Sequence, residues 1–477
     1  RGDCLGIDGH PDVQTPYLDT LAADGMLFEN AYSACPSCIP ARAALFCGKT
    51  PAGTGRVGYQ DGIAWEYDHM LAQEMRDGGY QTAVVGKMHV HPPRLGCGFE
   101  HMRLHDGYIG HYRKANLPYW MHQNVSDDYM RFLKNELGEF ADVNGSGVEN
   151  NSWITHPWAY EERLHPTNWV VDESIRFLET RDRTRPFFLM TSFVRPHPPF
   201  DAPQTYFDLY RDMELRAPAA GDWDDADATE RDGMILDSVH GCRDAELRRE
   251  AMAGYYACIT QIDYALGRIF GCLRENDLFK NTWIIFTADH GEMLGDHHMS
   301  QKNLFFEGSA HVPLLIMPPQ GRSLPQNISV EAPTDLVDLY PTILAMAGLS
   351  SPVSVSGKNL LEPVPMDRMF FGNSLNRNFC VMEEKVKLVY SAVGDHVLLF
   401  DLTTDPMEQH NLAEDPAWQE RKAKLWKLLL EHTAQYTPEA LDEKGQFLTY
   451  EAPHFPGDVP GRWFGFHYHD YSVDTFH

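Results

Sequence analysis

Three apolar runs of strand length each lead straight into residues that can do chemistry, and no other feature limits the fold as much. Thr82 to Val85 leads into Gly86-Lys87-Met88-His89, Phe187 to Phe193 toward Arg195-Pro196-His197-Pro198-Pro199, and Trp283 to Thr287 toward Asp289-His290-Gly291. Runs this short and apolar predict buried strands. Between them Val171, Ile175 and Leu178, then Tyr255, Ile259, Ile262, Leu266, Ile269 and Leu273, step by three and four, the period of a helix buried along one stripe. Strand and helix in alternation predict an α/β fold, a large and mostly parallel sheet flanked by helices. Functional residues in such sheets gather beyond the carboxyl ends of the strands.

The 477 residues suit one large α/β domain with a smaller companion. Beyond Pro363 the pattern changes: Lys387 to Tyr390 and Val397 to Asp401 flank Gly394-Asp395, a hairpin signal, and Asp415-Pro416 opens a helix carrying Trp418, Leu425, Leu429 and His432. This predicts a small C-terminal α+β unit with an antiparallel sheet, residues 366–477, after a catalytic α/β domain spanning 1–365. Asn144 to Thr167 and Arg216 to Asp244 read as long surface insertions. The tail from Tyr450, with His454, Phe455, Trp463, Phe464, Phe466, His467, Tyr468 and His469, is too aromatic to stay free.

A formal charge of -28, from 40 Lys and Arg against 68 Asp and Glu, repels phosphate backbones and disfavours nucleic-acid binding. No apolar run approaches the roughly 20 residues of a spanning helix. Nine cysteines, an odd number, argue against a disulfide framework. Arg1-Gly2-Asp3-Cys4 offers neither an initiator Met nor a leader, so the start reads as a truncation. The expectation is a soluble protein, bacterial periplasmic or cytoplasmic.

Cys38-Ile39-Pro40-Ala41-Arg42, followed by an alanine-rich stretch and Gly48, places Cys38 at a helix N-terminus, where exposed amides favour an anion and Arg42 lies one turn on. A lone cysteine is often a small buried hydrophobe. Cys35-Pro36-Ser37-Cys38 also reads as a redox or zinc pair, although no second pair with ligand spacing accompanies it. Asp289 and His290 are good metal ligands leaving a strand together. Asp296, His297, His298 and Lys302 beyond them read, taken alone, as a solvated loop. Lys87 and His89, His197, and Asp289 with His290, delivered from three strand ends toward one rim, are harder to dismiss.

In order, Cys38-x-Pro-x-Arg42, Gly86-Lys87-x-His89, Pro196-His197, Asp289-His290-Gly291 and Lys302 resemble the type I sulfatase family, which has an alkaline-phosphatase-like fold. The likeness extends to Thr15-Pro16-Tyr17-Leu18-Asp19, Val312-Pro313-Leu314, Tyr340-Pro341-Thr342 and Asp405-Pro406. The resemblance implies metal-dependent hydrolysis of sulfate esters by an arylsulfatase-like enzyme or a carbohydrate sulfatase. It implies that a maturation enzyme oxidises Cys38 to formylglycine, whose hydrate attacks sulfur and gives a covalent sulfated intermediate. By the same resemblance Arg42 holds the formylglycine hydroxyl, Lys87 bridges it to the sulfate, and His89 takes the proton that drives elimination. His197 and Lys302 bind ester oxygens and serve the leaving group. Cys38, Asp289 and His290 bind one divalent ion.

Two features depart from that pattern. Family members begin with a strand ending in two adjacent metal ligands before the residues matching Arg1-Gly2-Asp3, and this chain has no such strand. His290 stands where calcium-dependent members have Asn, and imidazole suits Mn or Zn better than Ca, the ion the family most often implies. His311 also replaces an Arg before Val-Pro. Phosphonate monoester and phosphodiester hydrolases share this frame and are the leading alternative. A non-catalytic binding homologue and a dithiol oxidoreductase on Cys35 and Cys38 are the others.

Overall fold

The computed structural model describes residues 1–106, 126–143, 152, 154–224, 244–320 and 326–450. In chain order its main elements are α1 (Pro16–Ala23), β1 (Met26–Phe28), α2 (Cys38–Cys47), β2 (Gln81–Gly86), β3 (His101–Leu104), α3 (Pro166–Thr180), β4 (Phe187–Ser192), α4 (Ala245–Glu275), β5 (Ile284–Thr287), β6 (Leu314–Met317), β7 (Ile328–Val330), α5 (Leu339–Met346), β8 (Phe370–Ser374), β9 (Asn378–Glu383), β10 (Val386–Ser391), β11 (His396–Asp401) and α6 (Gln419–Tyr436).

The three expected strands form, β2 buried as expected but β4 and β5 mostly half-buried, and the fold is mixed α/β. β2 pairs in parallel with β3 and β4, with Val84 opposite both Met102 and Met190. The expected large parallel sheet is divided, because β5 joins a second ladder in the order β5-β6-β1-β7. There β6 runs antiparallel to both neighbours, and only β1 and β7 are parallel. Helices cover the sheets as their periodicity requires: α4 buries Tyr255, Ile259, Ile262, Ile269 and Leu273. α3 adds Val171 and Leu178 to the same core.

In the C-terminal part β8 to β11 make an antiparallel meander. Gly394 and Asp395, at φ +80 and +54, form the predicted turn between β10 and β11. α6 buries Leu425 and Leu429 on this sheet, while His432 stacks on Phe371 at 3.9 Å. The other sheet face shares a core with the rest of the molecule, as Phe370, Cys380 and Phe400 pack with Tyr32, Met293, Phe305 and Phe306.

Neither stretch expected to be a surface insertion is wholly so. Trp158, Leu164 and His165 are buried, the last as the cap of α3. Trp223 stacks on Phe306 at 4.8 Å, and Arg216 pairs with Asp3. Weak periodicity concealed them, since isolated anchors have no period to read. The other residues of the two stretches, 144–151, 153 and 225–243, lie outside the described residues, as does the aromatic tail beyond Tyr450.

His311 sits at a buried polar junction. Its Nε2 donates to the Glu29 carbonyl at 2.8 Å, and its Nδ1 faces the Glu307 carboxylate at 3.2 Å. Glu307 also meets Lys387 of β10 at 2.5 Å, and Lys387 meets Glu408 at 2.6 Å. Burial lowers the imidazole's pKa, but Glu307, aided by Asp3 and Asp8, outweighs it and holds the value above the ordinary 6.5. The folded value being raised, its stabilisation is complete below about pH 6.5 and is lost as pH rises through the raised value. His311→Gln is therefore expected to lower Tm by about 1–2 °C near pH 6, with the gap narrowing toward about pH 9. Calorimetric scans across pH check this, and a pH-independent gap would mean the charge contributes nothing.

Candidate active site

α2 starts at Cys38 because Ser37 before it is extended, and it stops at Gly48, which adopts the left-handed conformation (φ +66) and donates to the Ala44 carbonyl. Cys38 therefore occupies the first turn, where amides lack helical partners. Its Sγ is buried, 3.0 Å from His290 Nε2 and 3.3 Å from Lys87 Nζ. Lys87 reaches this point through Gly86: at φ +99 the chain leaves β2 so tightly that a Cβ there would lie 1.9 Å from the Ser192 carbonyl oxygen.

Arg42 ties three strand ends together. Its Nε donates to Asp289 Oδ2 at 2.7 Å beyond β5, and its Nη1 donates to the Lys87 carbonyl at 2.7 Å and to Ser192 Oγ at 3.1 Å. These bonds use Nε and Nη1 of the guanidinium. Lys87 Nζ lies 3.6 Å from the same Asp289 oxygen. His290 Nδ1 donates to the Gly291 carbonyl at 2.7 Å, which orients the ring with Nε2 toward the sulfur.

The charges sort the thiols. Burial alone would push Cys38 up, but Lys87 and His290 outweigh it and bring the thiol down to about 6. Burial leaves Cys47 at about 11 and raises Cys35 further. Cys35 and Cys38 are separate thiols, and Cys38 groups with Asp289 and His290. Asp289, despite burial, is held well below the carboxylate range by Lys87 and Arg42.

His197 and Lys302 form the other half of the site. Lys302 Nζ donates to His197 Nε2 at 2.9 Å, and His197 Nδ1 donates to the Pro198 carbonyl at 2.8 Å. Burial and the Lys302 and Lys87 ammoniums keep the imidazole neutral. Its ring centre is 6.4 Å from that of His290. His89 is buried two residues beyond Lys87, and the Asp106 carboxylate accepts its N–H at 3.0 Å and that of Met88 at 2.7 Å. Its ring makes no hydrogen bond to Cys38, Asp289 or His290 among the described residues. Sequence reasoning missed Ser192 and Asp106. The first stands at the carboxyl end of a strand already singled out and was legible by that rule; the second had no signal.

Cys38, Asp289 and His290 present a sulfur, an oxygen and a nitrogen within 4.8 Å of one another. Three donors facing one point fit a divalent ion that keeps open positions for water or substrate. Arrangements of this kind at a helix N-terminus beyond converging strands suit attack on a tetrahedral oxyanion ester.

Comparison with known proteins shows the family. The family model for sulfatases matches residues 1–349. The chain belongs to the sulfatase family. A second model, for the C-terminal part of N-sulphoglucosamine sulphohydrolase, matches residues 295–435 of this sulfatase. An arylsulfatase of Clostridium perfringens is 39% identical over 90% of this chain and 91% of its own, and a choline-sulfatase of Rhizobium meliloti is 32% identical over 93% and 88%. Among solved structures, a phosphonate monoester hydrolase of Agrobacterium radiobacter superposes with a TM-score of 0.75 at 27% identity, covering 93% of this sulfatase and 96% of that chain. The sulfatase is a sulfuric ester hydrolase of the alkaline-phosphatase-like fold, in a family that uses a metal ion. No helix among the described residues is long and apolar enough to cross a membrane.

Proposed function

We propose that this sulfatase cleaves sulfate monoesters of aryl alcohols or carbohydrates with residue 38 as the nucleophile, after a maturation enzyme has converted Cys38 to formylglycine. The observation that carries this reading is the position of Cys38 Sγ, in the first turn of α2 and within 3.3 Å of both Lys87 Nζ and His290 Nε2. As its hydrate, formylglycine supplies one hydroxyl for attack and a second through which sulfate is released. Lys87 stands between that hydroxyl and the sulfate oxygens. Arg42 fixes Asp289 and Lys87 relative to each other. The proton held between Lys302 Nζ and His197 Nε2 is at hand for the departing ester oxygen. His89 accepts the proton of the second hydroxyl as sulfate departs.

Asp289, His290 and the group at position 38 would hold a divalent ion, which withdraws electron density from the sulfate. Calcium is the family's usual ion, and the imidazole donor favours Mn or Zn. Further ligands are proposed to come from a strand seated between β4 and β5. Among the described residues β4 pairs only with β2 and β5 only with β6. A cavity of about 1040 Å³ lies along residues 187–193 and 283–289, with Arg1 also on its wall. An extended segment of about six residues, ~20 Å long, matches the length of β4.

The phosphonate ester reading rests on the Agrobacterium structure and on His290. Matured protein loaded in turn with Ca, Mn and Zn should be compared on 4-nitrophenyl sulfate, a panel of sulfated sugars and a phenyl phosphonate monoester. The expected result is a kcat/KM at least about tenfold higher on a sulfate than on the phosphonate, about 1.4 kcal/mol of transition-state preference. The reverse ratio would reassign the enzyme.

A further inference from the structure

The loop that carries His197 is stiffened by three prolines but has almost no main-chain hydrogen bonds to fix where it sits. Pro196, Pro198 and Pro199 have no N–H to donate, so His197 supplies the sole N–H of residues 196–199, bonded to the Val194 carbonyl at 3.1 Å. What closes the loop is an ion pair at its two ends. Arg195 Nε and Nη2 donate to the two oxygens of Asp201 at 2.5 and 2.7 Å, and the side chains are 1% and 0% exposed. A two-pronged pair fixes orientation as well as distance.

Asp201 is anchored in turn. His165 Nε2 is 3.7 Å from its carboxylate. His165 Nδ1 accepts from Thr167 N at 3.2 Å and from Gln261 Nε2 of α4 at 2.9 Å, so the proton of the neutral ring is on Nε2, toward Asp201. The flanking main chain is also held, Phe200 O by Thr155 Oγ1 and Ala202 O by Trp158 N. Together α3 and α4 brace the loop through one carboxylate, and no step of the reaction above uses that carboxylate.

We propose that Asp201, acting through Arg195, is a positioning residue for the leaving-group chemistry: the buried pair sets the loop so that His197 Nε2 stays against Lys302 Nζ. This rests on the reading of His197 and Lys302 as the leaving-group pair. Asp201 never meets the substrate, and loosening it leaves sulfate binding near Cys38 in place. The effect falls on esters whose alcohol leaves poorly, because these depend most on proton delivery.

The test uses matured full-length protein and two esters, 4-nitrophenyl sulfate with a good leaving group and phenyl sulfate with a poor one. The double variant Arg195→Met with Asp201→Leu replaces both charges by apolar groups, a change that buried ion pairs often tolerate. It is expected to keep a cooperative thermal transition and a KM within about twofold, and to lose kcat about tenfold more on phenyl sulfate than on 4-nitrophenyl sulfate. Asp201→Asn, the nearest substitution in shape, carries the same comparison if the double variant folds poorly. His197→Ala is run alongside and should show the same bias more strongly. A folded double variant with an equal loss on both esters, or none, while His197→Ala shows the bias, overturns the role of Asp201. If His197→Ala lacks the bias, the reading of His197 fails.

Discussion

Cys38→Ala is expected to reduce sulfate ester turnover by about 10⁴-fold or more, since it removes the proposed nucleophile. Cys35→Ala is expected to retain activity and cost about 1 kcal/mol of packing. The two cysteines are separated by Pro36 and Ser37 alone, yet their surroundings differ in kind. Cys38 opens a helix and faces Lys87 and His290, which bring its thiol to about 6; Cys35 is buried with a thiol pushed far up. Peptide mass analysis of protein made with a maturation system should find an aldehyde in place of the thiol at residue 38, with 35 and 47 unchanged. Activity surviving Cys38→Ala, or a reactive disulfide between Cys35 and Cys38, would remove the nucleophile assignment and favour the oxidoreductase alternative.

Local signals in the sequence account for much of this site, because its residues leave strands and a helix at predictable points. Lys87 and Asp289 follow apolar runs that form strands, the first buried throughout and the second only half-buried, and Cys38 precedes an alanine-rich stretch ended by Gly48. Tertiary relations were not legible. The pairing of β5 with β6, antiparallel, depends on partners far apart in sequence, and nothing in Ile284 to Thr287 reports it. The fork of Arg42 across three strand ends depends on how those ends converge, which no local pattern reports. Trp223 and His165 are isolated anchors in stretches without a period, so nothing local marks them as packed. His311 was visible as a departure from the family pattern, but its consequence needed Glu307, Glu29 and Lys387 around it.

Metal affinity gives the other large effect. Among the described residues the site offers a carboxylate, an imidazole and the group at position 38, and the carboxylate already answers to two cations, Arg42 at 2.7 Å and Lys87 at 3.6 Å. A divalent ion must compete with both for Asp289, and with few charged oxygen ligands its binding is weak. An added strand in the cavity between β4 and β5 would run alongside both and end level with Asp289, because β4 ends at Ser192 on Arg42 and β5 leads directly to Asp289. Acidic residues at that end would supply the missing negative charge. Isothermal calorimetry should therefore show metal binding at least about a hundredfold tighter in a chain extended by an apolar strand with an acidic end than in residues 1–477, a scale on which ligand charge routinely acts. Turnover should rise in parallel, and Asp289→Asn should lower metal affinity in both forms. Equal affinity and turnover with and without the added strand would mean that the ligands lie elsewhere and that the cavity has another use.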